Sequence, residues 1–305
     1  MKAAICEKYG SPEVIKVKEV PVPQVEPGEV LIKVMASAVN TMDVRLRSLS
    51  VGPIMGIMMR FMMGFSKPKQ PILGANIAGE VVGLGEGVES FKIGDQVFGV
   101  TGMSFGGHAQ YITMKEARAV ALKPKNALYE EAAVLPFGGT SALFFLRKAE
   151  IGVGQDVMIY GASGAVGTAG VQVAKYLGAM VTAVCSKKNF DLVGKLGAQT
   201  LVEYQNDAYK KTDKKYDIIF DAVGKIKKSK VKKMLKPGGR FISVDGYGIA
   251  GVRKADLQLL AQMYEESKLK AVIDRTFTLD EIAAAHRYVD QGTKTGNVAL
   301  LIKHD

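Results

Sequence analysis

Cysteine, histidine and tryptophan are scarce in this chain. Its 305 residues include two cysteines, three histidines and no tryptophan. The cysteines, Cys6 and Cys185, form no Cys-x-x-Cys pair, which excludes a disulfide framework and a zinc lobe held by four thiolates. Because free thiols suit a reducing compartment, we expect a cytoplasmic protein.

Long apolar runs are also missing. The longest apolar stretch, residues 51–63, is interrupted by Pro53 and Arg60 and falls short of the ~20 residues that a membrane-spanning helix needs. The apolar run at residues 3–6 is too short to be the core of an export signal. We therefore expect neither an integral membrane segment nor an export signal.

Acidic residues are outnumbered by basic ones. The chain has 41 Lys and Arg against 30 Asp and Glu, a formal charge of +11, and lysines concentrate in residues 210–215 and 225–236. Aromatic residues do not alternate with the lysines of the second run, as a surface that stacks nucleic-acid bases would require, so we expect no nucleic-acid partner. The simplest interpretation is a solvated helix face. Attraction of a polyanionic cofactor or an acidic partner is the alternative.

The chain has the composition of a folded protein, with 48% hydrophobic and 23% charged residues. Its length indicates about two domains. In the first third, short apolar runs alternate with turns that contain Gly or Pro, which predicts a barrel-like β domain. The last residues have strands of the same kind, and we expect them to join that domain.

Beyond residue 150, apolar strands alternate with helices. The predicted strands are 156–160, 180–185, 200–203, 216–222 and 240–244, and the helices between them are 165–177, 189–196 and 225–235. Two earlier helices are predicted at 129–134 and 140–149. Continuous apolar strands joined by helices are typical of a parallel sheet covered on both faces. The predicted fold class is therefore α/β, a doubly wound parallel sheet plus a β-barrel domain.

A glycine-rich turn follows the first strand of this sheet. Residues 156–160 lead into Gly161, Gly164 and Gly167 and then into a helix. A tight turn, a close approach of the backbone to a pyrophosphate and close helix–strand packing each leave no room for a Cβ atom. The helix N-terminus offers free N–H groups and a positive dipole end, so a dinucleotide site is predicted. A similar run at 83–87 leads into another strand and is predicted to be a hairpin turn.

The end of the next strand indicates which dinucleotide binds. Residues 185–189 read Cys-Ser-Lys-Lys-Asn and lack the carboxylate with which an NAD site binds the ribose hydroxyls. Their hydroxyl, ammonium and amide groups suit a 2′-phosphate, so we expect NADPH. The alternative is an ordinary polar loop in which Ser186 or Asn189 caps the next helix.

Taken together, these segments and several further motifs resemble those of a known enzyme superfamily. The chain resembles the medium-chain dehydrogenase/reductase superfamily, and most of all its zinc-free, NADPH-dependent quinone oxidoreductase branch. The resemblance covers nearly the whole length and rests on residues 39–43, 71–81, 94–99, 135–142, 161–167, 196–198, 216–224 and 236–239. It implies a GroES-like domain of residues 1–123 and 270–305, a Rossmann domain of residues 124–269, and a homodimer.

The metal ligands of the zinc-using relatives are absent. Those relatives bind zinc through a Cys where Asn40 stands and a Gly-His-Glu where residues 74–76 read Gly-Ala-Asn, and they carry a four-Cys lobe. The three histidines here, His108, His286 and His304, lack the spacing of metal ligands. We therefore expect a zinc-free site.

The resemblance also implies roles for individual residues around the cofactor. The glycine-rich turn would hold the pyrophosphate, the next strand end would take the 2′-phosphate, and a tyrosine would lie by the adenosine. Thr140 and the backbone near Val244 would face the nicotinamide. The implied cofactor-binding residues are Gly161, Ser163, Gly164, Ala165, Val166, Gly167, Ser186, Lys187, Asn189, Tyr204, Gly246 and Tyr247.

The implied catalytic residues are Asn40, Asp43 and Thr140, with the first two at the floor of the substrate cleft. Each has a purely structural alternative. Thr140 could cap a helix, and Asn40 and Asp43 could satisfy nearby backbone groups. Asp221, at a strand end, could either face the cofactor or anchor a turn.

The function implied is an NADPH-dependent oxidoreductase that delivers hydride, without zinc, to a small hydrophobic quinone or enone. The alternatives are a non-catalytic NADPH-binding redox sensor or interaction protein on the same scaffold, and an alcohol/aldehyde oxidoreductase.

One segment differs in sequence from the family that the chain resembles. Five methionines lie between Met55 and Met63, where they could form an adaptable flap over the substrate, a packing or subunit interface, or a contact with a membrane surface.

Overall fold

The structure, a computed structural model, describes residues 1–49, 57, 60, 61, 63–245 and 251–304. They divide into two compact units. The first unit contains residues 1–136, 252–261 and 273–305, and the second contains residues 137–251 and 262–272.

The described residues form fourteen strands. They are β1 (Lys2–Cys6), β2 (Ile15–Glu19), β3 (Glu29–Ala38), β4 (Asn76–Leu84), β5 (Gln96–Val100), β6 (Tyr111–Lys115), β7 (Val120–Leu122), β8 (Asp156–Tyr160), β9 (Met180–Cys185), β10 (Thr200–Glu203), β11 (Tyr216–Asp221), β12 (Leu235–Ser243), β13 (Ile273–Thr278) and β14 (Asn297–Leu301). The α-helices described are α1 (Thr41–Ser48), α2 (Tyr129–Lys148), α3 (Ala165–Tyr176), α4 (Phe190–Leu196), α5 (Lys228–Val231), α6 (Lys254–Glu265) and α7 (Ile282–Asp290).

The first unit is built on a seven-stranded sheet, in the order β13-β14-β3-β4-β5-β7, with β6 paired to β3. Every second residue of β3 from Val30 to Ala36 is buried, as expected for a strand with one face on a core. Strands β13 and β14 come from the end of the chain and join this sheet, which confirms that the last residues return to the first domain. The run at 83–87 lies between the antiparallel neighbours β4 and β5, as the hairpin prediction requires.

Two segments outside the predicted limits of the first domain contact it. The amide of Asn76 donates to the carbonyl of Ala133 at 3.5 Å, and the ammonium of Lys254 reaches the carbonyl of Glu116 at 3.5 Å. The compact first unit therefore extends to Pro136 and includes residues 252–261, whereas the sequence pattern placed both segments in residues 124–269.

The second unit contains a five-stranded sheet, in the order β10-β9-β8-β11-β12, and all of its strands run parallel. The chain moves outward from β8 through β9 to β10 and then returns to place β11 on the other side of β8. This order, which the GroES-like and Rossmann prediction requires, confirms the fold class. In such sheets ligands bind outside the carboxyl ends of the strands, at the point where the order reverses. Here that point lies between β8 and β11.

Two predicted elements are wrong in their bounds. The predicted helix 225–235 is α-helical only over Lys228–Val231, and β12 begins at Leu235 rather than Arg240. The β11–β12 pairing shifts register where β12 contains Pro237-Gly238-Gly239, so the strand continues through a local irregularity.

The two helices predicted at 129–134 and 140–149 are one helix, α2, with Pro136 inside it. Tertiary packing outweighs the hydrogen bond lost at this proline. Gly138 sits so close to α3 that a Cβ atom there would lie 2.3 Å from the carbonyl oxygen of Ala165. None of the described helices is long and apolar enough to cross a membrane.

Candidate nucleotide and substrate sites

The glycine-rich turn connects β8 to α3, and two of its glycines have no room for a side chain. Gly161 has φ +76°, and a Cβ atom there would lie 2.5 Å from Val223. A Cβ atom on Gly167 would lie 2.1 Å from the carbonyl oxygen of Gly161. The turn therefore brings the start of α3 against the end of β8 at the point where the strand order reverses.

No side chain of the described residues makes a capping hydrogen bond to the N-terminus of α3. Its N-cap, Gly164, has none, and the helix begins with Ala165, Val166 and Gly167, whose N–H groups have no carbonyl one turn earlier within the helix. Half-buried Ser163 precedes the cap. Together with the positive end of the helix dipole, these groups can hold a pyrophosphate.

The residues predicted for the adenosine end lie together at the end of β9. Ser186 is half-buried and Lys187 is exposed in a 3-10 turn that ends at Asn189. The backbone N–H of Tyr204 donates to the carbonyl of Cys185 at 3.2 Å, which brings Tyr204 beside this turn, and its side chain is 45% exposed. Neither Ser186 nor Asn189 caps a helix with its side chain. Both residues nevertheless occupy N-cap positions, Ser186 for the 3-10 turn and Asn189 for α4, so the polar-loop alternative stays open.

Asp221 ends β11 and anchors a turn. Its Oδ1 accepts hydrogen bonds from the N–H groups of Val223 at 3.2 Å and Gly224 at 3.0 Å. Its Oδ2 accepts from the N–H of Ile226 at 2.9 Å and the hydroxyl of Ser243 at 3.2 Å. Because four donors occupy this buried carboxylate, the turn-anchoring alternative is the correct one.

Thr140 lies in the middle of α2, and only 3% of it is exposed. Its alternative role as an N-cap is therefore wrong. The backbone N–H of Val244 donates to the carbonyl of Asp221 at 3.0 Å, which puts Val244 at the carboxyl edge of the sheet. Gly246 and Tyr247 lie outside the described residues, so their predicted roles stay predictions.

In the first unit, Asn40 lies between β3 and α1 as the N-cap of α1, and Asp43 lies in the first turn of that helix. Asp43 is fully buried, and its Oδ2 accepts the backbone N–H of Asn40 at 2.8 Å while its Oδ1 accepts that of Gly74 at 3.1 Å. The Asn40 side chain occupies the capping-box position toward the N–H of Asp43. However, neither atom of its buried amide makes a hydrogen bond of ordinary geometry with the described residues. Buried amides usually have partners, so this one is available to a ligand.

His108 lies close to Asp43, a proximity that the sequence did not predict. Its Nε2 lies 3.1 Å from the carbonyl oxygen of Ala38, two residues before Asn40. Burial lowers the pKa of His108 and raises the pKa of Asp43, and the attraction between the two groups partly offsets both shifts. The ring of His286 approaches that of His108 edge-on, with centroids 5.9 Å apart.

An ion pair between a buried arginine and an exposed aspartate adjoins these histidines. Nη2 of Arg47 lies 2.6 Å from Oδ2 of Asp290, and Arg47 is 1% exposed. Burial, together with the charge of Arg47 and the neighbouring His108, holds the pKa of His286 well below its usual range. Arg47 and Asp290 are separated by 243 residues in the chain, so no local pattern could have revealed this cluster.

Among the described residues, no group of three or more His, Cys, Asp and Glu side chains could hold a metal ion. In the methionine-rich segment, Met63 is buried in the core of the first unit, whereas Ile57 and Phe61 are exposed. Met55, Met58, Met59 and Met62 lie outside the described residues. The flap, interface and membrane-contact hypotheses for this segment therefore stay open.

Comparison with known proteins matches two family models. Residues 26–125 match the alcohol dehydrogenase GroES-like domain, and residues 165–282 match the family described as zinc-binding dehydrogenase. The first match covers strands β3 to β7 of the first unit, and the second match covers most of the second unit.

Characterised relatives and solved structures are similar over almost the full chain. The chain is 31% identical to the 2-methylene-furan-3-one reductase of Solanum lycopersicum and 30% identical to the chloroplastic NADPH-dependent alkenal/one oxidoreductase of Arabidopsis thaliana. Each alignment covers 98% of this chain and 79% of the relative. The quinone oxidoreductase of Coxiella burnetii has a similar structure, with a TM-score of 0.83, 26% identity and 99% of each chain covered.

Proposed function

The chain belongs to the medium-chain dehydrogenase/reductase superfamily, in its quinone oxidoreductase-like branch, and on that premise we propose that it is an NADPH-dependent reductase of quinones or enones that works without zinc. Two of the relatives named above reduce, by their names, conjugated carbonyl compounds, and a third is named for quinones. These acceptors share an electron-poor double bond conjugated to a carbonyl group.

The observation that carries the proposal is the buried amide of Asn40, whose Nδ2 makes no hydrogen bond with any of the described residues. Reduction of a quinone or enone moves negative charge onto the acceptor's own carbonyl oxygen, so the protein needs only a hydrogen-bond donor near that oxygen. A preorganised donor of this kind typically contributes a few kcal/mol in the transition state. We assign this role to Nδ2 of Asn40 and assign Asp43 to orienting the loop that carries it, because both of its oxygens hold backbone N–H groups.

The residues of the second unit fit a dinucleotide. Gly161 and Gly167 close the turn so tightly that a Cβ atom would fill the space, and the uncapped start of α3 faces that turn. Ser163, Gly164, Ala165, Val166 and Gly167 would hold the pyrophosphate. When bound, the cofactor supplies the hydride. Ser186, Lys187 and Asn189 would select NADPH through its 2′-phosphate, Tyr204 would lie by the adenosine, and Thr140 would face the nicotinamide with the loop that contains Gly246 and Tyr247.

The donor set around Asn40 supports a reaction without zinc. Asn40 and Ala75 stand where the zinc-using relatives have their thiolate and imidazole ligands, and neither an amide nor a methyl group is a good ligand for zinc. With no metal to polarise a simple ketone or deprotonate an alcohol, the conjugated acceptor is the easier substrate. Solvent can supply the proton that completes the reduction, so no strong acid is needed.

The non-catalytic NADPH-binding alternative, a redox sensor or interaction protein, is separated from the reductase by the turnover test below, and a sensor that acts through a cysteine thiol is the less favoured form of it. Burial raises the pKa of both Cys6 and Cys185 to about 11, so neither is a reactive thiolate near neutral pH.

We also propose that the protein is a cytoplasmic homodimer. The family resemblance supports the dimer, and the two free buried cysteines suit a reducing compartment. Light scattering would measure the oligomeric state.

The decisive experiment measures the loss of reduced-nicotinamide absorbance with a panel of quinones, enones, aldehydes and alcohols. The proposal expects turnover of quinones or enones with NADPH. Efficient oxidation of primary or secondary alcohols with no reaction toward any quinone or enone would support the alcohol/aldehyde alternative. Tight NADPH binding without turnover of any acceptor would support the non-catalytic alternative.

A further inference from the structure

The basic charge of the chain is concentrated on one surface of the second unit. Between Asp221 and Asp245 there are eight basic residues and no acidic residue. Six of them are lysines that are exposed and form no ion pair with any described residue. We call them the lysine surface: Lys225, Lys227, Lys228, Lys230, Lys232 and Lys233.

The local structure explains why these lysines all point outward. Val231 and Met234 are buried against the parallel sheet, and Ile226 packs on the same core. With the apolar positions turned inward, the remaining positions of this short α and 3-10 segment can only face solvent. The ammonium of Lys215 reaches the carbonyl oxygen of Lys233 at 2.6 Å, which adds a further basic side chain at the edge of the surface. The acidic neighbour Asp207 is already paired with Lys210 at 2.6 Å.

We propose that the lysine surface docks the protein on a membrane whose headgroups are anionic. Clusters of four to eight basic residues are attracted to acidic lipids, and each Lys near the surface strengthens the binding by roughly fivefold. Lysine suits this partner because it is a flexible point charge that can follow headgroups moving in the plane of the bilayer. Binding of this kind needs no inserted helix.

Two other classes of partner fit the surface less well. Protein interfaces are enriched in aromatic residues and Arg and depleted in Lys, and their affinity rests on buried apolar anchors. The exposed positions from Lys225 to Lys233 include no aromatic residue, no Arg and no apolar anchor. Single-stranded nucleic acid is held by aromatic side chains that stack on bases, and base edges are most often read by Arg. Lysines without aromatic, Arg or apolar neighbours suit the diffuse attraction of an anionic surface, which needs neither stacking nor a buried anchor.

A location at the membrane agrees with the proposed function. The inference rests on the proposed function only in this agreement. Apolar quinones and enones partition into bilayers, so a reductase held at the membrane would meet a higher concentration of acceptor. The binding test below uses no acceptor and no turnover. Its result is therefore independent of whether the proposed reaction is correct.

The test is sedimentation of the purified protein with vesicles of phosphatidylcholine alone or of phosphatidylcholine mixed with phosphatidylglycerol. We expect binding to the mixed vesicles at low ionic strength, loss of binding at ~1 M salt, where the screening length falls to about 3 Å, and no binding to the neutral vesicles. The quadruple variant Lys225→Gln, Lys227→Gln, Lys228→Gln and Lys230→Gln should bind the mixed vesicles at least ~100-fold more weakly.

A matched control removes four exposed lysines elsewhere, with Lys8→Gln, Lys16→Gln, Lys92→Gln and Lys268→Gln. It loses the same charge and should retain most of the binding. The NADPH affinity of the quadruple variant should equal that of the unaltered protein, which also shows that the variant is folded.

Four results would overturn the proposal. They are failure to bind the mixed vesicles, equal binding to neutral vesicles, equal loss in the control variant, and a loss of NADPH affinity in the quadruple variant, which would assign the lysines to the cofactor. A single-stranded oligonucleotide provides the competing class of partner. If it binds more tightly than the mixed vesicles and depends on the same four lysines, the surface is a nucleic-acid site instead.

Discussion

The backbone N–H of Asn40 donates a hydrogen bond of 2.8 Å to the carboxylate of Asp43. This contact fixes the backbone at the start of α1, while the Asn40 amide itself keeps no partner of ordinary geometry among the described residues. Asn40→Ala should therefore lower kcat with quinones or enones by about 10²-fold, the usual effect of losing one such donor. Stopped-flow or steady-state kinetics would measure it.

The affinity for NADPH should stay nearly unchanged in Asn40→Ala, because the amide is assigned to the acceptor and not to the cofactor. Thr41→Ala, which alters the exposed first residue of α1, is the matched control and should keep full activity. If Asn40→Ala retained the unaltered kcat with every acceptor, Asn40 would have no part in the chemistry.

The loop after β9 should determine the choice of dinucleotide. We expect NADPH to bind at least ~10-fold more tightly than NADH, because one or two charge-assisted hydrogen bonds to a 2′-phosphate contribute about 1.5–3 kcal/mol each. Ser186→Asp should erase or reverse this preference by setting a negative charge against the phosphate. Ser229→Asp adds the same charge at an exposed position elsewhere in the second unit and should leave the preference intact. Fluorescence titration with both dinucleotides gives the ratio, and equal affinities in the unaltered protein would refute the assignment.

The glycines of the turn should differ sharply in their tolerance of a methyl group. Gly167→Ala puts a Cβ atom 2.1 Å from the carbonyl oxygen of Gly161, so the backbone must move, and we expect it to reduce the free energy of unfolding by about 3 kcal/mol or more. Gly164→Ala meets nothing closer than 3.5 Å and should change it by less than ~0.5 kcal/mol. Urea unfolding of the two variants tests the difference. Equal destabilisation would contradict the geometry of the turn.

The buried histidines predict a loss of stability in acid. The pKa of His286 and that of His108 are lowered in the folded protein, so below the unfolded value of ~6.5 the unfolded chain binds more protons. The free energy of unfolding should then fall with decreasing pH by up to about 1.4 kcal/mol per pH unit for each histidine. The raised pKa of Asp43 acts in the opposite sense, because its folded form takes up a proton more readily as the pH falls.

His286→Leu isolates this effect. It removes a ring whose two nitrogens have no partner among the described residues, so we expect little change in stability at pH 7.5 and a shallower loss toward pH ~5.5. Urea titrations at several pH values give both numbers. An unchanged slope in the variant would show that other groups cause the acid sensitivity.

Metal analysis tests the zinc-free prediction. Protein purified without chelator should contain well below one zinc per chain, and incubation with a chelator should leave quinone or enone reduction unchanged, because Asn40 and Ala75 stand in place of a thiolate and an imidazole. A stoichiometric metal on which activity depends would overturn this prediction.

Much of the second unit could be predicted because its signals are local. The strand, the glycine-rich turn and the helix from Asp156 to Tyr176 form one continuous stretch, and each part agrees with the next. The bounds of β8, β9 and β10 agree with the apolar runs that predicted them. The errors occurred where packing overrides propensity. Pro136 lies within a continuous helix because Gly138 lets α2 approach α3, and the predicted helix 225–235 gives way early to β12, which is paired with β11.

The parallel sheet, the glycine-rich turn and the exposed lysines could be predicted from the sequence, because each depends on spacing within a few residues. Three features depend on contacts made by the fold: Asp221 holds a turn, the Asn40 amide makes no hydrogen bond of ordinary geometry with the described residues, and Arg47 meets Asp290 beside two buried histidines. These groups acquire their protonation states and partners from residues that the fold brings near. A hydrogen bond or a desolvated charge depends on distance in space, and separation along the chain does not reveal it.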